Sequence, residues 1–268
     1  MIPFTKIQAT GNDFIVFDNR FIDLKILTTQ KIRFLCDRHW GIGADGLIFI
    51  GEREAGQLNM IYFNADGSEG EMCGNGLRAA ARYALEENLF NSGKDLQIQA
   101  RDGRHQVWFN KDQTISVEIL TGKSRDTTPD LKQLPVPDGL RLVGYFNTGV
   151  PHLVLATDKS IDELNLLEFA PSLRRHPVFK FGTNVNIIQK IADNRFKVRT
   201  YERGVEAETL SCGTGVTACA MLLWQNNPHL PSELFMETKG GILKVSGQKG
   251  RIMLTGPATI VFTGKIQL

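Results

Sequence analysis

Met72-Cys73-Gly74-Asn75-Gly76 closes one kind of structure and opens another. Upstream of it lie an extended run, Met60-Ile61-Tyr62-Phe63, and a turn, Asn64-Ala65-Asp66-Gly67. Downstream, Leu77, Ala80, Ala81, Ala84 and Leu85 fall at i, i+3, i+4, i+7 and i+8, which is one face of a helix. A cysteine just ahead of a helix sits at the positive end of the macrodipole, beside N–H groups that lack intrahelical partners. That position is expected to favour the thiolate and to lower the thiol pKa from about 8.5. The glycines let backbone approach a ligand closely.

The device occurs twice. Cys212-Gly213-Thr214-Gly215 also precedes a helical stripe, Val216, Cys219, Ala220 and Leu223. Both stripes begin four residues after their cysteine. A single copy is a weak signal, but two in one register suggest an internal duplication that sets two cysteines at helix N-termini.

The rest of the chain narrows the class. Its 268 residues are enough for one large domain or two ordinary ones. With 42% hydrophobic and 22% charged residues, it has the composition of a soluble globular protein. A net charge of +2, with no dense basic run, argues against a nucleic-acid partner. No apolar stretch reaches the roughly 20 residues of a membrane span, and the start lacks the pattern of a signal peptide. A cytoplasmic, reducing compartment is therefore expected, with Cys36, Cys73, Cys212 and Cys219 as free thiols. No C-x-x-C pair or histidine cluster has zinc spacing, so no metal is expected.

Strand-like runs are Ile2 to Ile7, Phe14 to Asp18, Leu47 to Ile50, Leu58 to Phe63, Leu96 to Ala100, His105 to Phe109 and Ile115 to Leu120. A helix capped by Thr28 or Thr29 carries Ile32, Leu35, Cys36 and His39 on one face. Residues 121–140 are polar and contain Pro129, Pro135 and Pro137, the best linker candidate. Beyond it, strands are expected at Leu142 to Phe146, Val185 to Gln189, Phe196 to Tyr201, Leu234 to Thr238, Ile242 to Val245, Arg251 to Leu254 and Ile260 to Ile266. A helical stretch from Ile161 to Arg175 is expected to break near Pro171. Strands outnumber helices without a βαβ alternation. The expected class is α+β, with two pseudo-symmetric halves, each a mostly antiparallel sheet wrapped around a central helix. The halves are 1–120, carrying Cys73, and 121–259, carrying Cys212.

Two thiols that face one site can remove a proton from one side of a carbon and return one to the other. One acts as thiolate base and the other as thiol acid, and the roles reverse for the opposite stereoisomer. N–H groups at the two helix starts can bind a carboxylate and stabilise charge that develops beside it. Such chemistry racemises an amino acid without pyridoxal phosphate or any other cofactor.

Several motifs together resemble those of the diaminopimelate epimerase family along nearly the whole chain. They are Gly11-Asn12-Asp13-Phe14, Asp37-Arg38-His39 with the glycine loop to Gly46, Phe63-Asn64-Ala65-Asp66-Gly67-Ser68-Glu69, Cys73-Gly74-Asn75-Gly76, Tyr201-Glu202-Arg203-Gly204 and Cys212-Gly213-Thr214-Gly215. The resemblance implies epimerisation of L,L-diaminopimelate to the meso form, in lysine and peptidoglycan synthesis. It implies two halves closing over the substrate, with residues 260–268 packing back on the first. Cys73 and Cys212 take the acid/base roles, and Gly74, Asn75, Gly213 and Thr214 hold the reacting carboxylate. Asn12, Asn64, Asn184, Glu202 and Arg203 read the substrate. Adjacent Glu202 and Arg203 offer the acceptor and the cation that a distal amino-carboxylate needs. The expected partner is a small amino-acid substrate, and a homodimer is compatible with the resemblance.

Three places depart from the family pattern. Val150 stands where many members have asparagine, Gly46 where some have glutamine, and the loop Val205 to Thr209 is one residue longer than in some. Related racemases acting on other amino acids share the cysteine pair and form the alternative. A non-catalytic amino-acid-binding protein and a carbon-skeleton isomerase of similar fold are further readings, and the presence of both cysteines disfavours each. Outside the motifs, Cys36 and Cys219 read as core, and His39 as structural. His152 reads equally as a structural histidine or as a residue of the site.

Overall fold

The structure is a computed structural model that describes residues 1–54, 57–90, 96–121, 129–248 and 250–268. The chain divides into two units, residues 1–118 with 255–268, and residues 119–254.

In the first unit, β1 (Ile2–Ala9) and β2 (Asn12–Asp18) form a hairpin over the tight turn at Thr10 and Gly11. Helix α1 (Thr29–Cys36) carries the chain to β3 (Gly46–Glu54), which lies parallel to β2. The antiparallel partner of β3 is β4 (Gln57–Asn64). Helix α2 (Gly74–Glu86) then crosses to β5 (Leu96–Ala100), parallel to β4. The strands β6 (Gly103–Phe109) and β7 (Ile115–Ile119) follow antiparallel, and the last strand, β16 (Thr259–Ile266), pairs antiparallel with β1. Alternating burial along β5 and β7 is the period-two signature of a sheet with one covered face. That covered face curls over α2, which packs on β1 to β5 and on β16. Leu77, Ala79, Ala80, Ala81 and Ala84 are fully buried. Alanine favours helix and lets strands approach from several sides. Truncating Leu77 in such a core costs about 2–5 kcal/mol.

In the second unit, β8 (Arg141–Asn147) and β9 (Pro151–Ala156) form a hairpin, and α3 (Leu166–Arg174) leads to β10 (Asn184–Ala192), parallel to β9. The strand β11 (Arg195–Glu202) pairs antiparallel with β10 and with the short β12 (Ala207–Thr209). Helix α4 (Gly213–Asn226) crosses to β13 (Glu233–Thr238), parallel to β11. It packs on β8, β9, β10 and β14 (Gly241–Gln248). The strand β15 (Arg251–Gly256) follows.

Several expectations are corrected. Four parallel strand pairs among the described residues are bridged by α1, α2, α3 and α4, so βαβ crossovers are present within sheets that are otherwise mostly antiparallel. Helix α1 ends at Cys36, and His39 lies in the exposed turn beyond it. The cause is Asp37, whose Oδ1 accepts the backbone N–H groups of His39 and Trp40. Pro171 sits inside α3, and the chain breaks earlier, where the Asn165 side chain caps the helix start. The linker expected at 121–140 falls partly on residues 122–128, outside the described residues. Its remainder is no free linker, because Leu134 is buried in the second unit's core with Leu131, Val136 and Leu140 packed against it.

Candidate functional site

Cys73 is the N-cap of α2, with extended backbone at φ −141° and ψ 103°. Its sulfur accepts the Gly76 N–H at 3.2 Å, so a helix-terminal donor points at the thiol as the motif requires. Gly76 leaves that space free, since a Cβ there would stand 3.4 Å from the sulfur. Asn12, at the start of β2, places Oδ1 at 3.9 Å from the Cys73 sulfur and accepts from Asn75 Nδ2 at 3.2 Å. A cavity of about 340 Å³ in this unit is lined by Cys73 with Tyr62, Glu69, Glu71, Met72 and Arg101.

An ionic bracket fixes Asn12 from behind. Asn12 Nδ2 donates to Asp45 Oδ2 at 2.8 Å, and Arg38 bonds both Asp45 and Asp13. Lys6, nearly buried, pairs with Asp13 at 2.7 Å and donates to the Gly43 carbonyl. Burial opposes charge on Asp13, but hydrogen bonds and charge from Arg38 and Lys6 outweigh it and hold the carboxyl at about 2. Asp13 is therefore ionised at any physiological pH.

Cys212 is the N-cap of α4, at φ −122° and ψ 106°, and is only 4% exposed. The expectation of a lowered pKa fails here. Burial pushes the thiol well above its usual range, and the Glu202 carboxylate adds to that, while Thr214 and the Gly215 N–H act in the opposite direction without prevailing. Desolvation of a thiolate outweighs one helix terminus. Thr214 Oγ1 lies 3.4 Å from the sulfur, and Thr148 Oγ1 donates to the Thr214 carbonyl at 3.2 Å. Thr217 closes the first turn by donating to the Gly213 carbonyl at 2.9 Å.

Glu202 ends β11, and Arg203 opens the loop that follows. Asn184 holds it, its Oδ1 accepting the Arg203 N–H at 2.7 Å while its Nδ2 donates to the Pro151 carbonyl at 3.2 Å. Glu206, at a left-handed φ of 57°, is clamped by ion pairs to Arg174 and Arg175 at 2.7 Å each. Arg203 donates to the Phe181 carbonyl at 3.2 Å. Asn64, by contrast, serves its turn, with its side chain donating to Ser68 Oγ at 3.0 Å.

Cys73, Gly74, Asn75 and Asn12 thus converge in the first unit, with Asn64 at the end of β4. Cys212, Gly213, Thr214, Glu202, Arg203 and Asn184 belong to the second. Two residues of the second unit acquire weight only in the structure. Asn186 donates to His152 Nδ1 at 3.1 Å, accepts from Thr200 at 3.0 Å, and its Oδ1 fills the space a Cβ on Gly215 would need. His152 is fully buried, and burial with the nearby Arg203 charge brings it down to about 3 against the Asn186 hydrogen bond. It is a neutral imidazole with the proton on Nε2, and that nitrogen has no partner among the described residues. The sequence signal of Asn186 is alternation with Asn184 on one strand face.

Two of the family departures have a structural setting. Val150 is half-buried in the turn between β8 and β9, where its carbonyl accepts the Thr148 N–H. A Cβ on Gly46 would meet both the Phe63 carbonyl oxygen and the Tyr62 ring at 2.6 Å. The Tyr62 ring occupies the space above Gly46, so a longer side chain cannot stand there without moving it.

Comparison with known proteins identifies the family. The family model described as diaminopimelate epimerase matches residues 4–126 and 144–261. Diaminopimelate epimerases of Hydrogenobaculum sp. and Aquifex aeolicus are 35% and 36% identical to the chain, over 98% and 99% of its length and 97% and 98% of theirs. That of Methanocella arvoryzae is 38% identical over the whole chain and 97% of its own. A hydroxyproline epimerase from Agrobacterium vitis shares the fold at TM-score 0.74 and 12% identity, covering 98% of this chain and 91% of that one. A phenazine biosynthesis protein of the PhzF family from Enterococcus faecalis does so at 0.72 and 15%, covering 100% and 99%. The chain belongs to the diaminopimelate epimerase family.

Proposed function

We propose that this isomerase interconverts L,L- and meso-2,6-diaminopimelate by proton transfer between two thiols and one α-carbon. The observation that carries the mechanism is that each unit makes a cysteine the N-cap of its second crossover helix, with a glycine three residues on beneath the sulfur. In one direction, a Cys73 thiolate takes the α-proton and becomes a thiol, leaving the electron pair on the α-carbon and its carboxylate. The Cys212 thiol returns a proton to the opposite face and becomes the thiolate. Neither charge nor atoms are left over, and the reverse reaction restores the starting forms. Burial of Cys212 supports its role as the acid in this direction.

The helix-start N–H groups at Gly74, Asn75, Gly213 and Thr214 hold the reacting carboxylate, whose charge rises as the α-proton leaves. Asn12, Asn64 and Asn184 position the substrate, and Glu202 and Arg203 bind the distal ammonium and carboxylate. The reaction needs no cofactor and a reducing compartment, which a cytoplasmic setting supplies. The two units are read as pseudo-symmetric copies of one ancestral half, supported by the matching positions of the two parallel strand pairs and two helices in each.

Val150 and the Tyr62 ring over Gly46 favour one second reading, a sister racemase acting on another amino acid. One experiment separates the two. The reduced protein is incubated in heavy water with L,L-diaminopimelate, and in parallel with histidine, proline, glutamate and lysine. Deuterium at the α-carbon and conversion to meso with diaminopimelate alone is the expected result. Exchange with another amino acid instead assigns the protein to the sister activity. Cys73→Ser and Cys212→Ser are each expected to lower kcat by orders of magnitude with the fold retained. Full activity in either variant overturns the two-thiol mechanism.

A further inference from the structure

Arg78 is the largest fully buried side chain among the described residues, one turn into α2 from Cys73. Its guanidinium donates to the Gly74 carbonyl at 3.3 Å, to Asn75 Oδ1 at 2.8 Å and to Thr10 Oγ1 at 3.1 Å. Every partner is neutral. No carboxylate pairs with it among the described residues, and its Nε has no hydrogen-bond partner there. Burying a cation without a counter-ion is costly, and folded proteins rarely tolerate it. A core that needed only packing at this position is served by leucine or methionine. The unpaired charge therefore calls for an anion that appears only in one state of the protein.

A thiolate on Cys73 would be such an anion, since its charge acts on Arg78. The guanidinium bonds the two residues that follow Cys73, at the base of the helix turn whose Gly76 N–H points at the sulfur. Burial lowers Arg78 to about 10, with the Cys73 charge acting in the opposite direction, so the group is still cationic at neutral pH.

The same contacts fix which way two amides face. A guanidinium can only donate, so Asn75 turns Oδ1 toward Arg78 and Nδ2 toward Asn12. A carboxylate can only accept, so Asp45 takes the Asn12 Nδ2. The chain of bonds runs in one direction from Arg78 through Asn75 and Asn12 to Asp45. It leaves Asn12 Oδ1 facing the Cys73 sulfur, where it accepts the S–H of the thiol form at 3.9 Å.

We propose that Arg78 is a positioning residue for the reaction: a buried counter-charge that favours the thiolate form of Cys73, and the anchor of the Asn75 and Asn12 amides, with Asn12 Oδ1 receiving the S–H when Cys73 is the thiol. The proposal rests on the reading of Cys73 as a proton-transfer group.

The test reads the thiol itself. Iodoacetamide alkylation of the wild-type chain, R78K and R78M is followed against pH, with the modified cysteine located by mass spectrometry. Cys36, Cys212 and Cys219 are buried and pushed toward the thiol, so they react slowly. In R78M the Cys73 profile is expected to move up by about one unit, a roughly tenfold slower alkylation below the pKa. In R78K the profile is expected to stay near wild type, while KM rises because ammonium cannot make the planar bonds to Asn75 and Gly74. An unchanged Cys73 profile in folded R78M overturns the proposal. Should R78M not fold, R78Q removes the charge while keeping a donor to Asn75, and the same reading applies. Failure of the two-thiol mechanism is separate, since it shows as an active Cys73→Ser variant whatever the alkylation profile of Arg78 variants.

Discussion

Gly76 and Gly215 occupy the same place relative to their cysteines, three residues on, yet their surroundings differ. A Cβ on Gly215 would stand 2.4 Å from Asn186 Oδ1. Asn186 cannot give way, because Thr200, His152 and the Leu153 carbonyl all bond its amide. A Cβ on Gly76 meets the Cys73 Cβ at 3.2 Å and the Ile48 side chain at 3.7 Å, distances a small shift relieves. Gly215→Ala is therefore expected to cost about 1–3 kcal/mol by overpacking and to cut the exchange rate at least tenfold. Gly76→Ala gains up to about 1 kcal/mol of helix propensity against its milder crowding and is expected to be near neutral in stability. Denaturant unfolding of both variants checks this, and equal losses would show that the Asn186 contact is not the cause. The cysteine–glycine spacing was legible in the sequence. The asymmetry was not, because Asn186 comes from a strand 29 residues earlier and only packing brings it under Gly215.

At the scale of elements, the hairpin of β5 and β6 contains its own electrostatic pin. A two-residue turn at Arg101 and Asp102 joins Ala100 to Gly103, and His105 beyond it is fully buried. Its Nε2 lies 2.9 Å from Asp102 Oδ1 and its Nδ1 2.7 Å from the Glu118 carbonyl. Burial opposes the imidazolium, but the Asp102 hydrogen bond and charge prevail and raise the pKa above its usual 6.5. A raised folded-state pKa adds stability that is fully present below the unfolded value of about 6.5 and is lost as pH rises through the folded value. Asp102→Asn is thus expected to lower the melting temperature more at pH 6 than at pH 9. A loss independent of pH would show that His105 is held neutral. Elements with alternating or helical periodicity were legible from their residues. The strand β9 was not, since Pro151 to Ala156 is buried on both faces and shows no alternation. Pro171 misled in the opposite direction, because a helix packed on β10 and β11 tolerates the lost bond.

For the molecule as a whole, the two-thiol mechanism requires Cys73 and Cys212 to approach one carbon from opposite sides. Oxidation without substrate is then expected to join them in a disulfide that abolishes activity and is reversed by thiol reductants. Mass spectrometry of the oxidised protein checks the pairing, and full activity in a verified Cys73–Cys212 cross-linked form would count against the mechanism. By itself the sequence determined the reaction class, the cysteine pair and its glycines, because these depend on spacing along the chain and on the local start of a helix. It also determined most strands, whose period of two is a local property. Tertiary structure alone decided that burial raises the Cys212 thiol above its usual range, that Arg78 lies buried with no carboxylate partner among the described residues, and that the Tyr62 ring covers Gly46. Desolvation and close approach depend on what distant segments bring to a side chain, and no local pattern records them.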